Sequence, residues 1–330
     1  MRNIFWLVFL GLFGCSESNS ETDIKEGYGF NQKRKVRRVQ VLDRIDVGYT
    51  CLDIGFLENG RWFSVEQFNQ KIRIHDAQGK VVEQFGKNGP GPAELNRVSD
   101  LYISDLTYNV LDRDDQSLKR LTTRDSLLIF KRLNANIRTG CFLDANTCIF
   151  QVTDVGFKLS LSRAQLHSDS FHIEEMINVN RLFAEEGSSI AFDGFLHRVK
   201  GDKFVYAPYL KNEMFLFSAK DELVERESYV HYVPEPEVMV TKTSAFPVSS
   251  TIHLADLYAD EHKVYCLSRI PDESGQLVLD VYSADNLDYQ FSIPIPYADK
   301  SLDDSPQNIA VYNDVLLVSY ESTVQVYKIV

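Results

Sequence analysis

The chain is expected to fold as an all-β protein, a six-bladed β-propeller whose ring is closed by an N-terminal strand completing the last blade. Three observations predict it: short strand-like runs parted by turn chemistry with no helical period, a recurring unit of about four strands, and a spare strand at the N-terminal side. Val81–Arg120 shows the cadence: Val81–Phe85, a Gly/Pro turn Gly86–Pro92, then runs at Val98–Ser104 and Tyr108–Asp112. The charged turn Asp112–Gln116 leads into a further run around Leu118–Leu121.

The unit becomes visible when runs after equivalent hairpins are aligned. Ile72–His75, Leu118–Leu121, Met214–Phe217, Leu279–Tyr282 and Val324–Tyr327 alternate apolar residues, and a polar turn usually follows. The steps from His75 to Leu121, Phe217, Tyr282 and Tyr327 are about 46, 96, 65 and 45 residues. That is one unit of roughly 45–48 residues with one doubled interval, which a weaker copy at Phe157–Ser162 fills, and one enlarged interval. Four short strands per unit is the content of a propeller blade. The units fall near 48–95, 96–138, 139–181, 190–232, 250–295 and 303–330. The last lacks a strand because the chain stops at Val330, and Val36–Ile45 is free to complete it, which would remove an exposed edge. The enlarged unit carries the Pro-rich insert Val233–Val248.

Upstream of the units, residues 1–14 read as a leader: Arg2, then the apolar run Ile4–Phe13, too short to span a bilayer as a stable helix. Leu12-Phe13-Gly14-Cys15 resembles the bacterial lipobox, with Phe13 bulkier than usual at its position. The resemblance implies cleavage before Cys15 and acylation of its thiol. Residues 15–32 are polar, acidic and aperiodic, as suits a flexible tether. Their Ser-Glu opening is similar to the acidic export signal of surface lipoproteins of Bacteroidetes-type bacteria, which implies an outer-membrane lipoprotein facing either the cell surface or the periplasm. The propeller is assigned to 33–330.

A second resemblance lies inside the repeat. Gly86–Leu95 (GKNGPGPAEL), followed by an apolar strand and Tyr108–Leu121 (YNVLDRDDQSLKRL), is similar to the six-bladed β-propeller lipoproteins of gut-type Bacteroidetes, within the broader TolB-like and NHL-repeat-like group. In that family the Gly-Pro-Gly loop leads from one blade's outer strand to the next blade's inner strand. Gly89, Pro90, Gly91 and Pro92 stand in that loop here. The sharp motif occurs once, the family is mostly of unassigned function, and the resemblance therefore implies fold and compartment rather than chemistry.

Composition narrows the partners. Sixteen Tyr and 21 Phe against two Trp suit half-buried strands. The formal charge of −12, one unit more negative once Met1–Gly14 is removed, repels phosphate backbones and argues against nucleic acid. Cys51, Cys141, Cys148 and Cys266 remain after the leader and show no CxxC spacing. A two-residue turn at Asp144-Ala145-Asn146 would set Cys141 opposite Cys148; a cross-strand disulfide and two buried free thiols both stay open, the thiols favoured because the other cysteines have no evident mates.

Each local candidate for chemistry has a plainer reading. The Lys87–Gly91 loop is a turn rather than a phosphate cradle, because Pro90 and Pro92 remove amides and a strand follows. His167, Asp169 and His172 could suit a zinc-like ion but fall in a hairpin where such residues are usually solvated. Asp112–Asp115 lacks the Gly and bidentate Glu of a calcium loop and reads as a polar hairpin tip. Lys33–Arg38 reads as a solvated start to a strand, with anionic headgroups as its alternative neighbour. His253, Asp256, Asp260, Glu261 and His262 flank an inner strand and would matter only if other blades brought partners to them. No GxSxG, HExxH or Walker pattern occurs. The reading is a monomeric, lipid-anchored binding or interaction module of the cell envelope, tied to the membrane by its lipid and contacting a glycan, peptide or envelope protein, with Val233–Val248 the best single contact surface. No cofactor, metal or catalytic residue is assigned. The alternative is a propeller lyase or hydrolase with a histidine-held metal at the channel mouth.

Overall fold

The computed structural model describes residues 34–330 except 58–59, 105, 134, 155–157, 168–169, 186–189, 200, 235–236, 242–244, 248–251, 273 and 299–304; the leader, Cys15 and the tether lie outside the described residues. Six four-stranded antiparallel sheets form six blades. The first strand, β1 (Val39–Asp46), belongs to the last of them. Blade 1 is β2 (Cys51–Phe56), β3 (Trp62–Glu66), β4 (Ile72–His75) and β5 (Val81–Phe85), and blade 2 is β6 (Val98–Ile103), β7 (Thr107–Asp112), β8 (Ser117–Thr122) and β9 (Leu127–Arg132). Blade 3 is β10 (Asn136–Phe142), β11 (Thr147–Thr153), β12 (Leu159–His167) and β13 (Ser170–Glu175). Blade 4 is β14 (Gly194–Arg198), β15 (Lys203–Pro208), β16 (Glu213–Ser218) and β17 (Glu222–Ser228). A two-stranded hairpin, β18 (Val238–Val240) with β19 (Ala245–Pro247), precedes blade 5, which is β20 (Leu254–Ala259), β21 (Lys263–Ser268), β22 (Leu277–Ser283) and β23 (Tyr289–Ile295). Blade 6 is β24 (Ile309–Tyr312), β25 (Val315–Ser319) and β26 (Thr323–Ile329), completed by β1.

The closure foreseen from the spare strand is therefore present: β1 runs antiparallel to β26 from Val39 opposite Ile329 to Asp46 opposite Thr323. Central strands read as continuous apolar runs because both their faces pack on neighbouring blades; Phe215–Phe217 of β16 and Tyr265–Leu267 of β21 are buried throughout. The core divides into six clusters, one at each blade junction. Leu279, Val281, Ile309 and Leu316 fill the junction of blades 5 and 6, while Ile54, Trp62, Leu317 and Val324 fill that of blades 6 and 1, which closes the ring.

The Gly-Pro loop does connect the outer strand β5 to the inner strand β6, and its glycines have a steric reason. A Cβ on Gly89 would lie 2.1 Å from Glu94 Oε2, and one on Gly86, at φ +87°, would lie 2.9 Å from the Gln70 carbonyl. The Gly91 amide donates to Glu94 Oε2 at 2.9 Å, so the loop's own carboxylate takes the place an outside anion would need.

Four expectations are corrected. The Lys33–Arg38 run is not simply solvated: Arg34 reaches Asp280 of β22 with two bonds of 3.1 and 3.0 Å, its side chain 8% exposed and that of Asp280 fully buried. Asp112 is not a hairpin-tip residue in water but is fully buried, and it shares Lys119, also fully buried, with Asp115 at 2.9 Å each. Blade 3 ends in an α-helix, α1 (Ile177–Glu185), whose first amides, of Asn178 and Val179, are capped by Asp221 from blade 4 at 2.8 and 3.0 Å. Cys141 and Cys148 are free. Cys141 pairs with Ile149, and Cys148 with Phe142, so the thiols sit one residue out of register on opposite faces of the sheet. Cys141 packs toward blade 4 and Cys148 toward blade 2.

Candidate functional site

All six inner strands (β2, β6, β10, β14, β20, β24) run the same way down the central channel. Antiparallel order then places the second turn of each blade, and the connection into the next blade, at the mouth where the inner strands begin. We call this the upper mouth. The blades present side chains to the channel through irregularities in the ladder. The register slips at Cys51/Asp53, Val98/Asp100, Ile137/Thr139 and Leu254/Asp256, and such bulges re-aim side chains.

Three of these bulges deliver a carboxyl. Asp53, Asp100 and Asp256 each retain some water-accessible surface, yet lie deep enough for burial to dominate their titration. Burial pushes Asp53 up to about 7 and Asp256 up to about 8, and Asp100 is raised well above the carboxylate range by burial and then by the charge of Asp53. The waist of the channel is thus acidic by composition, but its carboxyls ionise at higher pH than free ones: Asp53 is near half-ionised at neutrality and Asp256 mostly protonated there. Asp256 accepts the Ile309 amide of the next blade at 2.7 Å, and Asp100 accepts the Phe142 amide of its next blade, so these two also stitch blades together. His197 of β14 does the same in neutral form: it accepts the Ala259 amide at 3.1 Å, and burial pulls it down to about 4. Of this group only Asp256 was singled out from sequence. The signal for the others is an apolar-x-Asp-apolar pattern opening an inner strand, at Cys51–Ile54, Val98–Leu101 and Leu254–Leu257.

The other sequence candidates do not gather. His253 is fully buried, its Nδ1 3.2 Å from His231 Nε2 and its Nε2 2.8 Å from the Lys211 carbonyl. Burial, then His231, pulls it down to about 3. His231 in turn faces Asp280 at 3.4 Å, which makes the pair part of the Arg34 network at the junction of blades 4 and 5. Asp260 caps its own turn, accepting the His262 and Lys263 amides, while Glu261 and His262 are exposed. The His167 and His172 rings lie 6.1 Å apart, and His172 is 3.9 Å from Glu174 with its side chain 63% exposed; Asp169 lies outside the described residues. Among the described residues no three His, Cys, Asp or Glu side chains come together as a metal site, so the convergence that the metal-enzyme alternative requires does not form there.

The upper mouth itself is concave and polar. A cleft of about 530 Å³ opens between blades 5, 6 and 1, lined by Gln67, Ala255, Arg269, Tyr297, Gln307 and Asn308 among others. Asn308 is held by the Cys51 carbonyl at 3.1 Å and by Ser319 Oγ at 3.0 Å. Phe68, at the tip of the blade 1 turn beside Gln67, is 72% exposed, and its carbonyl accepts Asn88 at 3.0 Å. On the side of blades 2 and 3 the same mouth carries Arg97, Arg113 and Arg138. The hairpin of β18 and β19, within the insert flagged from sequence, belongs to a connection at this end and touches the 3-10 turn Ile190–Phe192 ahead of β14.

No protein-family model matches the chain, and no curated protein matches its sequence. Solved structures do match its shape. A member of the DUF4221 family from Bacteroides vulgatus superposes with a TM-score of 0.55 at 10% identity, covering 88% of this chain and 97% of that one. The β-propeller domain of Cps50 (Swd1) from Myceliophteria thermophila gives 0.53 at 8%, covering 88% and 100%. Virginiamycin B lyase from Staphylococcus aureus gives 0.52 at 10%, again covering 88% and 100%. At such identities these likenesses establish what the blade geometry already showed: the chain has the β-propeller fold.

Proposed function

We propose that this chain is an exported, lipid-anchored β-propeller that binds a ligand at its upper mouth, at the cell envelope, without itself carrying a reaction. The observation that supports it best is the cleft at blades 5, 6 and 1. Its volume of about 530 Å³ falls in the range of small-ligand sites, and its polar groups come from three different blades. Rigid blades fix those groups relative to one another, which lowers the ordering cost of binding. Phe68 adds an exposed ring at the rim, suited to stacking on a sugar face or an apolar peptide side chain. A glycan or short peptide segment fits this chemistry; membrane attachment through Cys15 would hold the mouth within reach of envelope material.

The test is a glycan and peptide array probed with the full-length chain in neutral detergent, repeated with Phe68→Ala and Asn308→Ala. A specific ligand whose binding drops at least fivefold in both variants supports the reading. A ligand bound equally by all three proteins, or no ligand on either array, sinks it.

A further inference from the structure

Half-buried arginines in this protein are generally matched with acids or, as Arg120 is by Asn109 and the Ala145 carbonyl, with hydrogen-bond acceptors. Arg34 has Asp280, Arg73 has Glu66 at 2.8 Å, Arg226 has Glu213 at 2.6 Å and Arg163 has Glu174 at 2.6 Å. The upper mouth departs from this. Arg97, Arg113 and Arg138 are all half-buried there, on blades 2 and 3. Asp193 is tied to Arg138, through Nε at 3.0 Å and through Nη2. Among the described residues, Arg97 and Arg113 form no ion pair and no side-chain hydrogen bond. Across the mouth, Arg269 lines the cleft, exposed and without an acidic partner among the described residues. All this occurs in a chain with 47 acidic residues against 35 basic ones, where a spare carboxylate is the easier thing to find.

The arrangement is built rather than incidental. The backbone amides of Asn96 and Arg97 donate to the Asp112 carboxylate at 2.9 and 3.1 Å, and the Arg113 amide donates to the Arg97 carbonyl at 2.8 Å. Asp112 is itself locked by Lys119, whose Nζ also donates to the Glu94 carbonyl at 2.6 Å. A fully buried ion pair thus fixes the two segments from which the unpartnered guanidiniums project. Burial, then the like charges of Arg138 and Arg97, pull the Arg113 pKa below its ordinary value, and the more distant charges of Asp193 and Asp114 offset this only in part. Half-buried guanidiniums suit the planar, bidentate geometry of an oxyanion.

We propose that the upper mouth selects for charge: Arg97 and Arg113, beside the Arg138–Asp193 pair, receive an oxyanion carried by the ligand, a carboxylate, sulfate or phosphate group. This rests on the reading of the mouth as a ligand site and adds the ligand's chemical class.

The experiment is calorimetric titration of the full-length chain in neutral detergent with inorganic sulfate, inorganic phosphate and trigalacturonate, and with maltotriose as the neutral probe. At least one anion should bind, weaken with added sodium chloride, and lose fivefold or more in affinity in Arg97→Gln/Arg113→Gln, while exposed Arg44→Gln on β1 leaves it unchanged. The anion with the largest arginine-dependent affinity names the oxyanion. Anions that bind wild type and double variant alike, or none that bind, overturn the proposal. Maltotriose binding that is blind to Arg97 and Arg113 but lost in Phe68→Ala overturns it as well, while leaving the ligand-binding reading standing. Should the double variant not fold, sulfate must raise the wild-type melting temperature more than chloride at equal ionic strength; an equal rise overturns the proposal.

Discussion

Arg34→Ala tests how the segment ahead of β1 is fastened to the ring. The guanidinium holds Asp280 by two bonds of 3.1 and 3.0 Å, in a setting where the carboxylate is fully buried. Removing one member of such a pair typically costs about 3–5 kcal/mol, because the other charge is left desolvated. Asp280 would keep Ser292 Oγ at 2.5 Å and His231 at 3.4 Å, so the expected loss is smaller, roughly 2–4 kcal/mol by the same reasoning. Burial alone would raise the Asp280 pKa; bonds from His231 and Arg34 outweigh it and hold the group below the ordinary carboxylate value. A depressed carboxylate contributes stability above its unfolded pKa, near ~3.9, and loses that contribution as pH falls through its folded value. The gap between wild type and variant should therefore be full at pH 7 and shrink below about pH 4. Urea unfolding, followed by circular dichroism and by fluorescence of Trp62, gives both numbers; Trp6 lies outside the described residues. A cycle with Asp280→Asn isolates the pair. A loss under ~1 kcal/mol at pH 7, or a gap that stays constant to pH 3, would refute the argument that this pair fastens the chain.

The channel carboxyls behave in the opposite sense. Asp53 titrates near 7 because of burial, so the native state holds a proton that the unfolded chain releases between about pH 4 and 7, and stability falls as pH rises through that window. Asp53→Asn should melt with wild type at pH 4.5 and above it at pH 8, by roughly 1–2 kcal/mol once residual water in the channel is allowed for; a constant offset across pH would show the shift is absent. Deleting Val36–Ile45 removes nearly all of β1, bares the edge of β26 and withdraws Ile45 from the junction of blades 6 and 1, so melting should fall and self-association rise. Unchanged melting of a monomer would contradict the closure. Cys15→Ala should move the protein from the membrane to the soluble fraction, and its retention in membranes would end the lipid-anchor proposal.

The blades were legible because each is a local event: alternation within strands and turn residues between them are written in consecutive positions, and inner strands start within a few residues of the expected unit boundaries. What escaped depends on a second blade. Helix α1 carries β-branched Ile177 and Val179 at its start, poor helix formers, and owes its N-terminal cap to Asp221 some forty residues later. Arg34 reads as one more charge in a basic run until blade 5 supplies Asp280. The hairpin cysteines illustrate the sensitivity to register: one residue of offset turned a facing pair into thiols on opposite faces. The mouth arginines sit at positions 97, 113, 138 and 269, with no shared pattern, and only the ring brings them to one end.

The charge layout of the axis gives those arginines a consequence. An anion drawn to the mouth would be expelled by three ionised carboxylates below it, and the field of an acidic protein would add to that. At pH 6, however, Asp53 and Asp256 mostly hold their protons, and burial shifts Asp100 in the same direction, so the waist repels an anion less than three free carboxylates would. The rim arginines then act on an approaching ligand with less repulsion from below. Raising the pH past about 8, where Asp256 follows Asp53 in ionising, should switch the repulsion on. Anion affinity should consequently fall between pH 6 and 9, although no arginine loses its charge in that range. Asp53→Asn/Asp256→Asn should abolish that decline while leaving affinity at pH 6 unchanged. A decline that survives in the double variant would mean that the waist and the mouth do not sense each other.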